Sequence, residues 1–507
     1  MIWRLQSDYY AQRGLKAWTE DQVPSYITNN PFIAEIYAGI VAGFLEDCLR
    51  HSSVDALPIS PENPLRILEL GAGTGKFSYL FLRKLIPLLR EKNIAPQTIR
   101  YSMSDCSEEL ITYWQGNQFL AEFTQAGILE FELLRAGENT SRERRGTAQQ
   151  ARAPLVVIAN YVFDSLPQDA FVISNGEISE ALITTSSNSE AAASLNDVQL
   201  SFTNSAVSSQ RYQDPAWNEI LEEYRSRLTS ATVFFPSAAL ALLQQLCRAA
   251  DGRMLMLAAD KGFAHQEEIA LVQGPPALEF HASRRCFSLM VNLHAIARYF
   301  TAIGGLALLP PKHFTNLNIC AFIQRRPQDE FPETSKAHQQ AVAAFGPDDL
   351  FTVMSWLNAS LESVSVAQAL SLLRLTRWDT TAFLRLFPVI APKLRNIGAE
   401  RNDLRVAVLN VWENRYPIDL ADNALAFSCG VVLLELRFYA EAAAMFQASE
   451  QLLGRTAATS YNLGLCALGL EDRARAMAHM TEACRLDPAF EPAQTSRARL
   501  ESEIKPG

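Results

Sequence analysis

The chain has 507 residues, which is enough for two or three domains that each bury a core. Its net charge of -10 argues against nucleic acid as the main partner, because phosphate binding needs clustered Lys and Arg. The eight cysteines show no spacing suited to zinc, and no apolar run approaches the ~20 residues that span a bilayer. These features, with an N-terminal stretch that lacks a signal-peptide core, predict a cytoplasmic protein without a metal site or a membrane segment.

The N-terminal region, residues 1–60, is predicted to be a helical segment. Residues 31–48 repeat apolar side chains at helical spacing, with Asn29 or Asn30 as the cap and Pro31 in the first turn. A long helix is therefore expected to precede the first strand.

Strands and helices are predicted to alternate through a domain over residues 61–325. Short apolar runs predict strands at 66–70, 99–104, 128–134, 155–160, 253–259 and 314–324. A run that is apolar throughout, such as 155–160, is typical of a strand buried on both faces. The alternation predicts an α/β fold with a doubly wound, mainly parallel, Rossmann-like sheet.

Two stretches of this domain differ from the rest. Residues 171–210 interleave Ser, Thr and Asn with Val, Ile and Phe, which fits either a β-rich insert or a loosely ordered surface segment, and the sequence favours neither. The arginine-rich stretch 135–152 also holds Glu, Gln, Thr and Gly, and we interpret it as a solvated loop.

The C-terminal part is predicted to be all helical. A polar linker at 326–336 leads to a helical region at 337–420 and to tetratricopeptide-like repeats at 421–500. Gly430 and Gly464 are 34 residues apart, and the same offset joins Phe446 to Met480, as the tetratricopeptide period requires. Two copies cannot form a stable solenoid alone, so the helices of 337–420 are expected to pack beneath them as degenerate repeats or a cap.

A glycine-rich turn follows the first predicted strand. Gly71, Gly73 and Gly75 come directly after an apolar run that has Glu69 near its end. This pattern is typical of a buried parallel strand that turns sharply into a helix while its backbone lies against a ligand. A P-loop would need Ser or Thr after Lys76, and a nicotinamide fingerprint would need a third glycine at position 76. The G-x-G-x-G form resembles motif I of class I S-adenosylmethionine methyltransferases, and a plain structural loop is the alternative.

Polar residues follow two further strands. Asp105 ends the strand at 99–104, where a carboxylate can accept hydrogen bonds from a ribose, although it can also cap the helix after Ser107. Asn160 and Asp164 follow the strand at 155–160, where a substrate and a methyl donor would meet. Asp164 can alternatively serve only as a turn or cap residue.

These blocks together resemble the MidA-type methyltransferases, a group that includes a mitochondrial complex I assembly factor acting on protein arginine. The resemblance rests on Tyr26–Ile33, Glu69–Gly75, Ser104–Ser107 and Ala159–Pro167, with a weaker match at Asp260–Gly262 and at 291–293. It covers about residues 20–325 and implies S-adenosyl-L-methionine as the cofactor. The implied cofactor contacts are Glu69, Gly71, Ala72, Gly73, Gly75, Asp105, Cys106 and Asn160, and the implied catalytic residues are Asn160 and Asp164.

Four positions depart from the pattern of that family. Tyr161 replaces its Glu, Lys261 replaces its Tyr, and Met290 and Asn292 stand where it has His and Asp. A guanidinium group is bound by carboxylates, so the loss of two acids argues against arginine as the acceptor.

Two function classes remain open at this point. The first is a methyltransferase whose protein acceptor is recruited by the tetratricopeptide region, with a small-molecule acceptor as a variant. The second is a catalytically altered scaffold or adaptor, favoured by the changes at 161, 261 and 292. His281 and His294 are candidates for a general base, although such residues more often lie at the edge of a core.

Overall fold

The computed structural model divides the chain into two units, Met1–Phe351 and Thr352–Gly507. The residues it describes are 2–20, 25–51, 58–134, 153–187, 195, 198–208, 210–250, 252–281, 286–342, 345–358, 361–418 and 424–504. The predicted loop at 135–152 lies outside these residues. None of the described helices combines the length and the apolar character that crossing a bilayer requires.

The first unit begins with helices. They are α1 (Ile2–Arg13), α2 (Lys16–Thr19) and α3 (Pro31–His51). Asn30 rather than Asn29 caps α3, because its Oδ1 accepts hydrogen bonds from the N–H groups of Phe32 and Ile33 at 3.0 and 3.1 Å.

The strands and further helices of this unit alternate along the chain. The strands are β1 (Leu65–Leu70), β2 (Ile99–Asp105), β3 (Leu129–Leu133), β4 (Leu155–Asn160), β5 (Asp169–Ser174), β6 (Glu177–Ser187), β7 (Val198–Ala206), β8 (Ser230–Phe235), β9 (Met254–Asp260), β10 (Gly262–Phe263), β11 (Glu279–His281), β12 (Cys286–Ser288), β13 (Val291–Asn292), β14 (Leu306–Leu308) and β15 (Asn318–Gln324). The helices are α4 (Lys76–Glu91), α5 (Glu108–Gly116), α6 (Gln118–Gln125), α7 (Pro215–Arg227), α8 (Ser237–Ala249), α9 (Gln266–Ala270), α10 (Leu293–Ala302), α11 (Pro332–Val342) and α12 (Pro347–Asn358), which crosses the boundary between the units.

The central sheet has the strand order β14-β15-β9-β4-β1-β2-β3. β1 pairs in parallel with β2 and β4, and β4 with β9, whereas β15 runs antiparallel to β9 and β14. The expected mainly parallel α/β sheet is thereby confirmed. The chain reverses its direction across the sheet between β1 and β4, and ligands bind beside the carboxyl ends of the strands at such a switch point.

A second sheet occupies much of the stretch 171–210. It is antiparallel, with the order β7-β6-β5-β8, and it also takes in β8 from beyond that stretch. Of the two interpretations that the sequence left open, the described residues form the β-rich one.

Helix α11 begins inside the stretch 326–336 that we predicted as a linker. It packs on α3, where Thr334 donates its N–H and Oγ1 to Asp47 Oδ2 at 2.9 and 2.7 Å. A Cβ atom at Gly43 would lie 2.8 Å from the carbonyl oxygen of Glu333, so only glycine permits this close approach. The boundary between the units accordingly falls after α11, at residue 351.

The second unit is all helical over its described residues. Its helices are α13 (Val366–Leu375), α14 (Thr380–Ile390), α15 (Arg401–Glu413), α16 (Ala424–Glu435), α17 (Tyr439–Leu453), α18 (Ala457–Gly469), α19 (Arg473–Leu486) and α20 (Glu491–Ile504). A Cβ atom at Gly430 would lie 2.8 Å from the ring of Phe446, and one at Gly464 would lie 2.8 Å from Met480 Cε. Positions 34 residues apart thus make equivalent helix-pair contacts, while the tetratricopeptide assignment stays a prediction.

Candidate active site

The glycine turn between β1 and α4 has left-handed backbone at three positions. The φ angles of Gly71, Gly73 and Gly75 are 65°, 54° and 78°, which side chains other than glycine rarely adopt. The N–H of Ala72 donates to the carbonyl oxygen of Ser104 at 2.9 Å, which ties the turn to β2. The sequence therefore places its glycines where the backbone needs them.

Asp105 connects the end of β2 to this turn. Its Oδ2 accepts a hydrogen bond from the Gly73 N–H at 3.2 Å, and its Oδ1 accepts one from the Ser107 N–H at 3.2 Å. Ser107, and not Asp105, stands at the cap position of α5. Burial raises the pKa of Asp105, while the N–H groups of Gly73, Ser107 and Cys106 act in the opposite direction.

Glu69 lies beneath the turn, with its carboxyl group between β1, β2 and α4. It accepts hydrogen bonds from Tyr101 Oη at 2.7 Å and from the hydroxyl of Ser78. Burial raises its pKa to about 7, although both hydrogen bonds favour the charged form. Its carboxyl group thus holds the first turns of α4 on the sheet.

The loop after β4 carries the predicted catalytic residues. Asn160 Oδ1 accepts a hydrogen bond of 2.8 Å from Tyr37 Oη on α3. Tyr161 has a φ of 52°, a left-handed conformation that is unusual for a bulky residue, and its hydroxyl donates to the Asn316 carbonyl at 3.2 Å. A Cβ atom at Gly71 would lie 3.5 Å from Val162 Cγ2, so this loop lies beside the glycine turn.

Asp164 sits in a short 3-10 turn, Phe163–Ser165, with its side chain buried. It accepts a hydrogen bond from Ser165 Oγ at 3.1 Å. Burial raises its pKa to about 6, and the positive charge of Lys261 limits that rise. A carboxyl group with this pKa can accept a proton near neutral pH.

Asp260, at the end of β9, supports the same loop and is fully buried. Its Oδ2 accepts the Phe163 N–H at 3.2 Å, and burial together with the nearby Asp164 raises its pKa. Among the described residues, neither its Oδ1 nor the Oδ1 of Asn318 has a hydrogen-bond partner. The two residues are register partners across β9 and β15.

Helix α1 also reaches this loop. Gln6 donates from Nε2 to the Ser165 carbonyl at 3.4 Å and accepts the Phe287 N–H at 2.9 Å. On the same helix, burial and the neighbouring Cys286 and Asp164 raise the pKa of Tyr10. Nothing in the sequence indicated this contact, since Gln6 and Ser165 are far apart along the chain.

Two further departures from the family pattern, at positions 292 and 261, also have structural partners. Asn292 caps α10 by accepting the Ala295 N–H at 2.8 Å, and it donates to the Phe234 carbonyl at 2.9 Å. Lys261 forms an ion pair with Glu279 at 2.9 Å. Asn292 thus serves to cap α10 and to bond the Phe234 backbone, whereas Lys261 places a positive charge near Asp164.

The two candidate general bases, His281 and His294, have different hydrogen-bond partners. Nε2 of His281 is 2.9 Å from Ser288 Oγ, and Nδ1 of His294 is 2.8 Å from Tyr224 Oη. Burial lowers the pKa of both imidazoles. No cluster of His, Cys, Asp and Glu suited to a metal ion occurs in the part of the chain that the structure describes.

Residues 51–318 match the model of a family described as putative S-adenosyl-L-methionine-dependent methyltransferase. An uncharacterised protein from Burkholderia thailandensis is 15% identical, with 77% of this chain and 82% of that chain covered and a TM-score of 0.37. A second protein of its superfamily from the same organism, bound to S-adenosyl-homocysteine, is also 15% identical, with coverages of 71% and 73% and a TM-score of 0.34. No curated protein matches the chain.

Proposed function

The chain belongs to this S-adenosylmethionine-dependent methyltransferase family, and from that premise we propose that it methylates a protein acceptor recruited by its C-terminal helical repeats. S-adenosylmethionine is the cofactor of the family. The observation that carries the proposal is the arrangement of three left-handed glycines beside Asp105 on one side and the Asn160–Asp164 loop on the other.

The residues of the glycine turn fit such a cofactor. Gly71 is exposed, and among the described residues a Cβ atom there would meet only Val162, so a ligand can approach the backbone closely. The turn leads into α4, whose N-terminus carries the partial positive charge that favours an anionic group, although its first N–H, that of Lys76, already donates to Thr74 Oγ1 at 3.4 Å. Asp105 already orients the turn and stands at the strand end where a ribose is bound in related folds.

The cofactor supplies a methyl group on a sulfonium, which is already activated for in-line displacement. The chain then has to position the acceptor and handle its proton. Asn160, held by Tyr37, would orient the acceptor from one side of the loop. Asp164, with its pKa of about 6, would hold the acceptor from the other side and take its proton at neutral pH.

A protein acceptor is favoured by the C-terminal unit. Its helix pairs repeat equivalent contacts at Gly430 and Gly464, and concave surfaces of helical repeats suit peptide binding. The alternative function is a catalytically altered, cofactor-binding scaffold or adaptor that works through the same helices. The replaced residues Tyr161 and Lys261 favour that alternative.

The test uses the full chain, a cell extract and methyl-labelled S-adenosylmethionine. We expect label in acid-precipitable protein with the wild type, and a loss of about 100-fold or more with Asp164→Ala, because a positioned acid–base group contributes that much. The variant should still bind S-adenosylhomocysteine. Asp169→Ala is the matched control, since that carboxylate accepts the Tyr212 hydroxyl at 2.6 Å in the insert sheet.

Label in small molecules alone would contradict the protein acceptor but keep the methyltransferase. An extract without any labelled product, from a protein that still binds S-adenosylhomocysteine, would favour the scaffold.

A further inference from the structure

Helix α1 packs on the rest of its unit with one face. Ile2 and Gln6 are the buried residues of the helix, and Tyr10 follows them at the same spacing of four, so the three side chains lie on one face. Gln6 contacts the loop after β4 through the Ser165 carbonyl. Tyr10 is close enough to Asp164 on that loop for the carboxylate to add to the effect of burial in raising the pKa of Tyr10.

The turn after α1 reaches a different part of the sheet edge. A Cβ atom at Gly14 would lie 3.2 Å from the Cβ of Glu109, near the start of α5. α5 follows β2 and the loop with Ser165 follows β4, while β1 lies between these two strands in the sheet. The step from Gln6 to Gly14 spans about 12 Å in a helix, and strands two places apart are separated by about 10 Å. α1 therefore crosses the carboxyl end of β1, where the glycine turn lies.

The proposed acceptor side is closed in this arrangement. Only 7% of Asp164 is exposed, although a protein side chain has to reach that carboxyl group for the proposed proton transfer. On the cofactor side, by contrast, Gly71 is exposed. Gln6 and Tyr10 lie against the loop that carries Asp164, so α1 obstructs the approach of a bulky acceptor.

The helix is attached to the unit by few buried side chains. Two of the 12 residues of α1 are buried, against 14 of the 21 residues of α3. Its first residues, Ile2 and Trp3, pack in the apolar cluster of Phe287, whereas Gln6 and Tyr10 present polar groups to the loop. An element with few buried apolar contacts opens at a lower free energy than the core around it.

We propose that α1 is a lid over the acceptor site, which moves away from the loop after β4 to admit the acceptor and returns for the transfer. This inference rests on the proposed function, and it adds control of access to the same site. Opening breaks both hydrogen bonds of Gln6, and closure keeps water away from Asp164 during the reaction.

The first experiment locks the lid with a reversible disulfide. The Cβ separation of 3.2 Å between positions 14 and 109 is near the about 3.5–4.5 Å of a disulfide, so the double variant Gly14→Cys, Glu109→Cys should cross-link in an oxidant. Because each turnover requires the lid to open, we expect the oxidised double variant to lose methyl transfer to protein and to regain it on reduction.

The two single variants, Gly14→Cys and Glu109→Cys, are the matched controls. Each carries one substitution and the native cysteines through the same oxidant without the cross-link, so each should keep its transfer. Unchanged transfer by the fully cross-linked protein would overturn the proposal while the methyltransferase assignment stands.

The second experiment measures hydrogen exchange and needs no acceptor. The Phe287 N–H donates to Gln6 Oε1 at 2.9 Å, so it is released when α1 moves away. We expect it to exchange through local opening, faster than the amides of the core strand β4, and to slow when the double variant is oxidised. The amides of β4 serve as the internal control and should not respond to oxidation.

If the Phe287 amide exchanged as slowly as those of β4, α1 would open only on global unfolding, and the lid would be overturned. If the reduced protein transferred no methyl group to any product, the proposed function would fail, whereas hydrogen exchange would still decide whether α1 opens.

Discussion

The two sides of the candidate site are built in different ways. The proposed cofactor side, residues 69–76 with Asp105, is shaped by backbone conformation and by hydrogen bonds such as the one from the Gly73 N–H to Asp105. The proposed acceptor side, residues 160–164, is held by residues from other parts of the chain, namely Tyr37, Asp260 and Asn316. A local motif can therefore identify the first side, whereas the second depends on the tertiary structure.

The largest effect on stability is expected from Asp260→Ala, which removes the buried acceptor of the Phe163 N–H. An unsatisfied buried donor costs about 1–3 kcal/mol, and the cavity adds to that, so we expect a loss of about 3 kcal/mol in the free energy of unfolding. Denaturant unfolding measures it. Asp260→Asn keeps an acceptor oxygen for the Phe163 N–H and nearly the same side-chain volume, so it should cost much less than Asp260→Ala.

If Asp260→Ala were as stable as the wild type, the loop after β4 would not depend on β9. The contrast between the two sides would then be lost.

A loss of stability of comparable size, but one that depends on pH, is expected from Glu69 on the cofactor side. The pKa of Glu69 rises from 4.5 to about 7 on folding, so the folded protein binds more protons than the unfolded chain between these values. Stability should therefore fall by up to about 3 kcal/mol as the pH rises through that window, and Glu69→Gln should abolish this part of the decline. Unfolding at pH 5 and pH 8 measures the difference.

Asp164→Asn serves as the comparison for Glu69→Gln. The pKa of Asp164 rises from 3.8 to about 6, so its share of the decline should lie at lower pH. If Glu69→Gln lost as much stability between pH 5 and pH 8 as the wild type does, the raised pKa of the buried Glu69 would be contradicted.

The smallest effects are expected from removing one hydroxyl on each side. Tyr37 and Tyr101 are both fully buried and donate to Asn160 and Glu69, respectively. Either change to Phe should cost about 1 kcal/mol. Tyr37→Phe should do so equally at pH 5 and pH 8, whereas Tyr101→Phe should cost more at pH 8, where Glu69 carries its charge. If the stability cost of the two variants changed equally between pH 5 and pH 8, the assigned bond of Tyr101 to a titrating Glu69 would be contradicted.

The secondary structure around the candidate site could be predicted from the sequence because its signals are local. The strands at 66–70 and 155–160, the glycines of the turn, and the helix after Asn30 were all placed within a residue or so of their positions. A parallel sheet was expected from the alternation of elements, and it is confirmed.

The remaining features depend on contacts between distant parts of the chain. The bond from Tyr37 to Asn160 and the contact of Gln6 with Ser165 join residues more than 100 positions apart. Lys76 was considered only in excluding a P-loop, because its burial cannot be recognised without the packed structure. The stretch 326–336 was expected to be a linker from its polar composition, although α11 begins there and packs on α3.

The most direct test of the central claim is a calorimetric titration of S-adenosylhomocysteine into the wild type and into Gly73→Arg. Gly73 is buried with a φ of 54°, and its N–H bonds Asp105, so an arginine there should fill and distort the cofactor side. Gly176→Arg controls for backbone strain, because Gly176 has a φ of 79° in the turn between β5 and β6, and in the part of the chain that the structure describes no atom outside that turn lies within 4 Å of its Cβ position. We predict micromolar binding to the wild type and to Gly176→Arg, and at least about 100-fold weaker binding to Gly73→Arg. The absence of binding to the wild type would contradict the account.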